Sequence, residues 1–362
     1  MEQPTAPITL VQAALEAGGL HTGTVLSREV SRGTRLRVRP GVYAESQAWS
    51  EALPSERYLA SLAAAAMTGS SGAFCRESAL ALHGLPLLRV PAAVHRRTLH
   101  RSQVGVHRSP GRLSYPTRFH EPPLPRGVTR AQMRLALGAE NSVAEPGDPS
   151  WTPTALRGIA SQLVTPECLR GFAADPVGLT VPVEPLPLAL LDTVPRMPFE
   201  QAVVVLDAAL ARISERGLTL DELLQPWQPF LRVARLRTAW ARVVDFADPR
   251  SESVGESLSR VRISELGFAV PELQSVVRVE GREYRLDFEW EGGVVGEFDG
   301  KQKYLRSQEL FGRSAEEAVY REKLREDAIR STGRRVVRWS WDDLHHPNIL
   351  RDRLTRFGVP RA

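Results

Sequence analysis

Hydrophobic and polar positions change period several times along the chain. Near the N-terminus "LVQAALEA" has helical spacing behind Thr9, a capping residue, and a helix is expected to end at Gly18-Gly19. A second short helix is expected through "VLSREVS", stopping near Gly33. The period then drops to two. In "TRLRVRPGVYA" Arg35, Arg37 and Arg39 alternate with Leu36 and Val38, which predicts a strand with its arginines on one face. Pro40-Gly41 fits the centre of a type II turn, with Val42 and Tyr43 returning. Helical spacing resumes in "SERYLASLAAAAM", with Ser55 as the expected cap, and in "AFCRESALALHGLPL", which ends at Gly84 with Pro86 beyond. His83 reads as a capping or packing residue.

Residues 136–187 are rich in Pro, Gly and small side chains and predict a long irregular connection. "PFEQAVVVLDAALARI" is a strong helix pattern. "TLDELLQPW" opens with a Thr219/Glu222 capping box, and "FLRVARLRTAWARVVDFA" continues as helix up to Asp248-Pro249. Beyond Ser251 the order is an amphipathic helix ("SESVGESLSRVRISELG"), strands in "QSVVRVEG", "REYRLDFEWEGG" and "VVGEFDG", a helix in "EEAVYREKLREDAIRSTG" and a strand in "RRVVRWSW". The expected architecture is α+β and multidomain. It has a winged-helix-like unit over 1–50, a mixed α/β middle region over 51–248 and a mixed sheet flanked by helices over 249–362.

Length and composition narrow the class. With 362 residues and 42% hydrophobic side chains, the chain supports two or three packed domains. No apolar run approaches the ~20 residues of a membrane span, and "MEQPTAPITL" lacks the basic and apolar regions of a signal peptide. Cys75 and Cys168 make neither a disulfide framework nor a paired metal spacing. These features predict a cytoplasmic protein with no membrane partner. The formal charge is +5, and all of the excess lies in residues 1–250. Between Leu87 and Arg130 nine arginines and four histidines face one acid, Glu121. A nucleic-acid partner, DNA first, is the expectation. Its candidate phosphate contacts are Arg35, Arg37 and Arg39 on the hairpin, Arg96, Arg97, Arg101 and Arg108 in the basic stretch, and Lys303 and Lys323 further on. Arg321 and Arg325 lie on the same late helix as Lys323 and could touch phosphate or solvent.

Only three of the 47 basic residues are lysines, and Lys301, Lys303 and Lys323 fall within one short window. Lysine is a compact charge whose pKa burial can lower, a property arginine lacks. Immediately before that window, "GEFDGKQKY" places Glu297 and Asp299 at i and i+2, on one face and about 7 Å apart along a strand. If the preceding strand pairs through Gly292-Gly293, Asp287 comes alongside. Gathered carboxylates need a counter-charge, and Mg²⁺ or Mn²⁺ is the usual one. The expected catalytic group is Asp287, Glu297 and Asp299 as metal ligands, with Lys301 stabilising charge on phosphorus.

Two resemblances follow from these stretches. "RVRPGVYA", "CRESALALHGLPL" and "VVVLDAALAR" resemble AbiEi-like proteins, the antitoxin side of type IV toxin–antitoxin systems, over roughly residues 8–245. That implies DNA binding and a cognate toxin or defence partner. Asp287, the "E-x-D-G" of Glu297 to Gly300, Glu256 in "GESLSR", and "REKLREDAIRSTGRRVVRWSWDDL" resemble the Vsr-like branch of the PD-(D/E)XK endonuclease superfamily over about residues 251–345. That implies a restriction-endonuclease-like sheet and metal-dependent phosphodiester hydrolysis, with Glu256 in support of the catalytic group. Lys301 either answers to Asp299 or stands in for a lysine that Asp299 displaces. The alternative function is a non-catalytic, antitoxin-like DNA-binding regulator on an inactive nuclease fold.

Overall fold

The computed structural model describes residues 7–14, 22–68, 72–97, 105–108, 118–121, 163–164, 167–169, 172, 181–300 and 315–362. Lys301, Lys303 and Arg101 lie outside them, as does most of the irregular segment 136–187. The strands are β1 (Leu10–Gln12), β2 (Arg35–Arg39), β3 (Val42–Glu45), β4 (Ala73–Phe74), β5 (Ala93–Arg97), β6 (Gly105–Arg108), β7 (Arg118–Glu121), β8 (Leu163–Val164), β9 (Val181–Pro182), β10 (Glu272–Val279), β11 (Arg282–Trp290), β12 (Val294–Asp299) and β13 (Arg335–Ser340). The helices are α1 (Thr22–Arg32), α2 (Ser46–Glu51), α3 (Pro54–Met67), α4 (Arg76–Leu82), α5 (Leu186–Thr193), α6 (Phe199–Glu215), α7 (Leu220–Leu224), α8 (Ala234–Phe246), α9 (Val254–Glu265), α10 (Ala315–Ser331), α11 (Trp341–His345) and α12 (Pro347–Arg356). Among the described residues no helix is long and apolar enough to cross a membrane.

The chain divides into two compact units, Met1–Met197 with Thr219–Arg242, and Pro198–Leu218 with Val243–Ala362. The division therefore differs from a single cut at 248–249, because α6 belongs with the C-terminal unit. A buried charge pair joins α6 to the rest of that unit: Asp207 on α6 meets Arg260 on α9 at 2.9 Å, and the Arg260 guanidinium lies 4.9 Å from the Phe246 ring centroid. Asp207 also accepts the Asp248 amide at 2.8 Å. One carboxylate thus ties together three stretches of the unit.

In the first unit the basic hairpin forms as its alternation predicts. β2 and β3 pair antiparallel around Pro40-Gly41, and Gly41 takes the φ of +79° that position i+2 of a type II turn requires. Leu36 and Val38 are buried, whereas Arg35, Arg37 and Arg39 are half-buried on the other face. The helix expected over "LVQAALEA" does not form at its start. Leu10–Gln12 is instead an added strand on β3, giving the order β1-β3-β2. The open edge of β3 offered backbone partners there, which outweighed local helical spacing. At α3 the cap also differs: Pro54 is the first helical residue, and Glu56 accepts the Leu53 amide at 2.7 Å, so Leu53 rather than Ser55 holds the cap position.

The second unit carries a four-stranded mixed sheet, order β10-β11-β12-β13. Its first three strands are antiparallel, and β12 and β13 are parallel. Helices flank it. Ile329 of α10 packs with Val277, Leu286, Val295 and Val336. On α9, Ser259 Oγ accepts from Trp339 Nε1 at 2.7 Å. Phe288 stacks with Trp290 and Trp339. Gly296 makes that packing possible, since a β-carbon there would lie 2.4 Å from the Trp339 ring.

Candidate functional site

β11 and β12 pair from Trp290–Val294 to Phe288–Gly296, and the ladder ends there. Asp287 and Glu297 follow on the two strands. The Asp287 carboxylate accepts the Phe298 amide at 3.1 Å, filling a backbone donor that the ladder no longer satisfies. Across the sheet, Leu273 pairs with Phe288 and Ser275 with Leu286, while Gln274 and Asp287 between them form no pair. Gln274 has φ +56°, a left-handed conformation that a β-carbon disfavours. Strain of this kind persists where surrounding contacts over-determine it, and often at functional sites. The Gln274 amide donates to Glu256 Oε2 at 3.1 Å.

Glu256 is buried at the start of α9. It accepts the Glu252 amide at 2.9 Å and the Ser253 hydroxyl at 2.7 Å, and its own amide donates to Ser253 Oγ at 3.2 Å. Its carboxylate accepts from the backbone and hydroxyl at the helix start and from the strained Gln274.

Glu297 is buried, at 8% exposure. Arg325 of α10 grips it bidentately, Nη1 to Oε2 at 2.6 Å and Nη2 to Oε1 at 2.8 Å, and also donates to the Arg285 carbonyl at 2.7 Å. Burial pushes the Glu297 carboxyl above its ordinary range. Arg325 pulls it back, the Asp287 charge pushes it further up, and Arg338 opposes that. The Asp287–Glu297 juxtaposition expected from the Gly-Gly turn is therefore present. The counter-charge at Glu297 is an arginine, and among the described residues no three His, Cys, Asp or Glu side chains are grouped to hold a metal ion. Asp299 is half-buried and opposite Ser340 on β13.

The expected phosphate contacts separate sharply. Lys323 is exposed on α10. Arg108 lies on β6. On the hairpin, Arg35 pairs with Glu29 at 2.8 Å, and Arg37 donates to the Tyr43 hydroxyl at 3.4 Å. Arg96 and Arg97 are corrected: both are buried in β5, at 6% and 1% exposure. Arg97 donates through Nε to Glu184 at 2.6 Å and through Nη2 to Asp192 at 2.7 Å; Arg96 donates to the Gly72 carbonyl at 2.8 Å. A run of arginines reads as a phosphate surface only if its acids are absent, and these acids lie about ninety residues away in sequence. His83 meets the Glu184 carbonyl at 2.7 Å, a packing role as expected. Gln274 carried no sequence signal, because left-handed backbone at a polar strand residue is invisible to pattern.

No family model, no curated protein and no solved structure matches this chain.

Proposed function

We propose that the C-terminal unit is a metal-dependent DNA endonuclease centre and that the N-terminal unit binds or targets the DNA. The observation that supports this most is the Asp287–Glu297 pair at the point where the β11–β12 ladder opens, beside the strained Gln274 and its partner Glu256. The donor chemistry fits a hard divalent cation, Mg²⁺ or Mn²⁺: two adjacent carboxylates, one of them buried, whose mutual repulsion a cation relieves. Asp287 and Glu297 would hold it, with Asp299 the next carboxylate on the strand. Such an ion polarises a phosphodiester and lowers the pKa of an attacking water. Glu256 holds the Gln274 amide, on the strand next to Asp287. Lys301, two residues beyond Asp299, supplies charge for the phosphoryl oxygens in this reading. Lys323 on α10 contributes to holding the strand. A cytoplasmic location and a cognate toxin or defence partner belong to the same proposal.

The bidentate Arg325–Glu297 contact favours a second reading, a DNA-binding, antitoxin-like regulator in which arginine permanently replaces the metal. Nicking of supercoiled plasmid separates the two. Cutting in Mg²⁺ or Mn²⁺, absent in EDTA and in Asp287→Asn, supports the endonuclease. Salt-sensitive binding without cutting on double- and single-stranded DNA in every metal overturns it.

A further inference from the structure

The first unit holds a second charged cluster that the hydrolytic centre does not use. Asp192, at the end of α5, is almost fully buried, and three arginines converge on it. Arg97 reaches it from β5 at 2.7 Å, Arg76 from the start of α4 at 3.0 Å, and Arg196, four residues on, at 2.9 Å. Arg97 is enclosed, but the side chains of Arg76 and Arg196 are 19% and 34% exposed. Among the described residues Arg76 meets Asp192 through Nε, and Arg196 meets the Asp192 carboxylate and carbonyl through Nη1, so these contacts use one nitrogen of each guanidinium. Arg235, exposed at the start of α8, adds a further positive charge. Burial pulls the Arg196 guanidinium below its ordinary range. Asp192 opposes this, and the like charges of Arg76, Arg97 and Arg235 add to it. The acids nearby are Asp192, Glu184 and Glu77, the last of which burial pushes toward its neutral form while His95 lies 3.3 Å away. Like charges held this close favour an added anion.

Backbone strain marks the same place. Arg76 has φ +51°, and it is one of three non-glycine residues with positive φ among those described. Glu280 is another, and its hairpin turn accounts for it; Arg76 has no such turn. The left-handed backbone costs stability and sets the start of this side chain against Asp192.

We propose that Arg76 and Arg196, held on Asp192, form an oxyanion site on the N-terminal unit that takes a backbone phosphate of a nucleic acid. Guanidinium donors suit phosphate oxygens bidentately, and Asp192 with Arg97 behind it keeps the two inner arginines in position. The site is open rather than enclosed, which suits a polymer backbone passing over it. It stands whether or not the C-terminal unit cuts.

The test measures binding of a labelled DNA duplex by fluorescence anisotropy in EDTA, across a salt series. The proteins are the full chain, Arg196→Gln and Arg76→Gly, with Arg278→Gln, an exposed arginine on β10, as the charge-matched control for the other unit. Glycine accepts the φ at position 76, so that variant removes the guanidinium while relieving the strain. Both site variants are expected to melt as folded proteins, to bind more weakly, and to flatten the log–log salt dependence by about 0.9 for each phosphate the variant no longer neutralises. Arg278→Gln is expected to keep the full slope. Unchanged affinity and slope in folded site variants overturn the site. Inorganic phosphate, added at constant ionic strength, separates the two sources of the oxyanion. If it raises the melting temperature of the wild type but not of the variants, while duplex binding is the same in all three, the nucleic-acid assignment is overturned.

Discussion

Arg325→Met tests the charge arrangement at the candidate site. In the folded chain the Glu297 carboxylate is buried and both of its oxygens are taken by Arg325 at 2.6 and 2.8 Å. Removing one partner of a fully buried pair costs ~3–5 kcal/mol, because the other charge is left unpaired. Here the Arg325 side chain is 24% exposed, and Arg338 still acts on Glu297, so a smaller loss, about 2 kcal/mol at neutral pH, is expected. For a unit of this size that lowers the melting temperature by roughly 4–8 °C. The pH dependence fixes the cause. Glu297 already titrates above its unfolded value, so the folded chain binds the proton more tightly. Its contribution is fully present below the unfolded pKa and is lost as pH rises through the folded pKa. Without Arg325 the folded pKa rises further, so the deficit of the variant shrinks as pH falls from neutral toward the ordinary glutamate range. Thermal melts of wild type, Arg325→Met and Arg325→Met/Glu297→Gln at neutral and mildly acidic pH read this directly, and the double variant should recover most of the loss. A variant as stable as wild type at neutral pH, or a deficit that does not change with pH, refutes the reasoning. Mg²⁺ adds a further arm: if Asp287 and Glu297 take a cation, it raises the melting temperature of Arg325→Met more than that of wild type, since the competing guanidinium is gone. Equal shifts tell against the cation.

Two further predictions concern packing and backbone. Gly296→Ala would set a methyl 2.4 Å from Trp339 Cη2 and 2.9 Å from Trp290 Cζ3, and should cost about 1–3 kcal/mol, read by thermal melting together with a change in tryptophan emission. A melt indistinguishable from wild type would mean the two rings move aside freely. Glu280 and Gly281 have φ +50° and +77° as the two-residue loop of the β10–β11 hairpin, so Glu280→Asn should stabilise by roughly 1 kcal/mol in chemical denaturation; a loss of stability would show that the glutamate makes up for its backbone elsewhere.

The C-terminal sheet was legible because its signals are local. Gly292 and Gly293 both adopt positive φ and turn β11 into β12, and the periods of "RLDFEW" and "VVGEFD" place Asp287 next to Glu297. The basic hairpin was legible for the same reason. Long-range pairing was not. Nothing in "LVQ" announces that β3 has a free edge for it, and nothing in "VHRRTLHR" announces that Arg97 finds Glu184, in a segment that reads as irregular, and Asp192 just beyond it. Arg325 could be placed on a helix near the sheet, but its partner, 28 residues earlier, could not. Charge counted along the chain measures an excess; whether each arginine faces solvent depends on acids brought from elsewhere by the fold.

Backbone strain gives an independent way to weigh the two charged clusters. Of the three non-glycine residues at positive φ among those described, Glu280 has a local cause, since a two-residue hairpin loop demands it. Gln274 and Arg76 have none, and each ends in a polar group that holds a buried carboxylate: the Gln274 amide on Glu256, the Arg76 guanidinium on Asp192. If these contacts only filled space, a regular backbone with a longer or shorter side chain would serve at lower cost. Strain retained beside Asp287 and Glu297 in one unit, and beneath a surface of arginines in the other, argues that side-chain position matters at both places. In the first the strained residue holds the buried Glu256 carboxylate, and in the second it holds a guanidinium on Asp192.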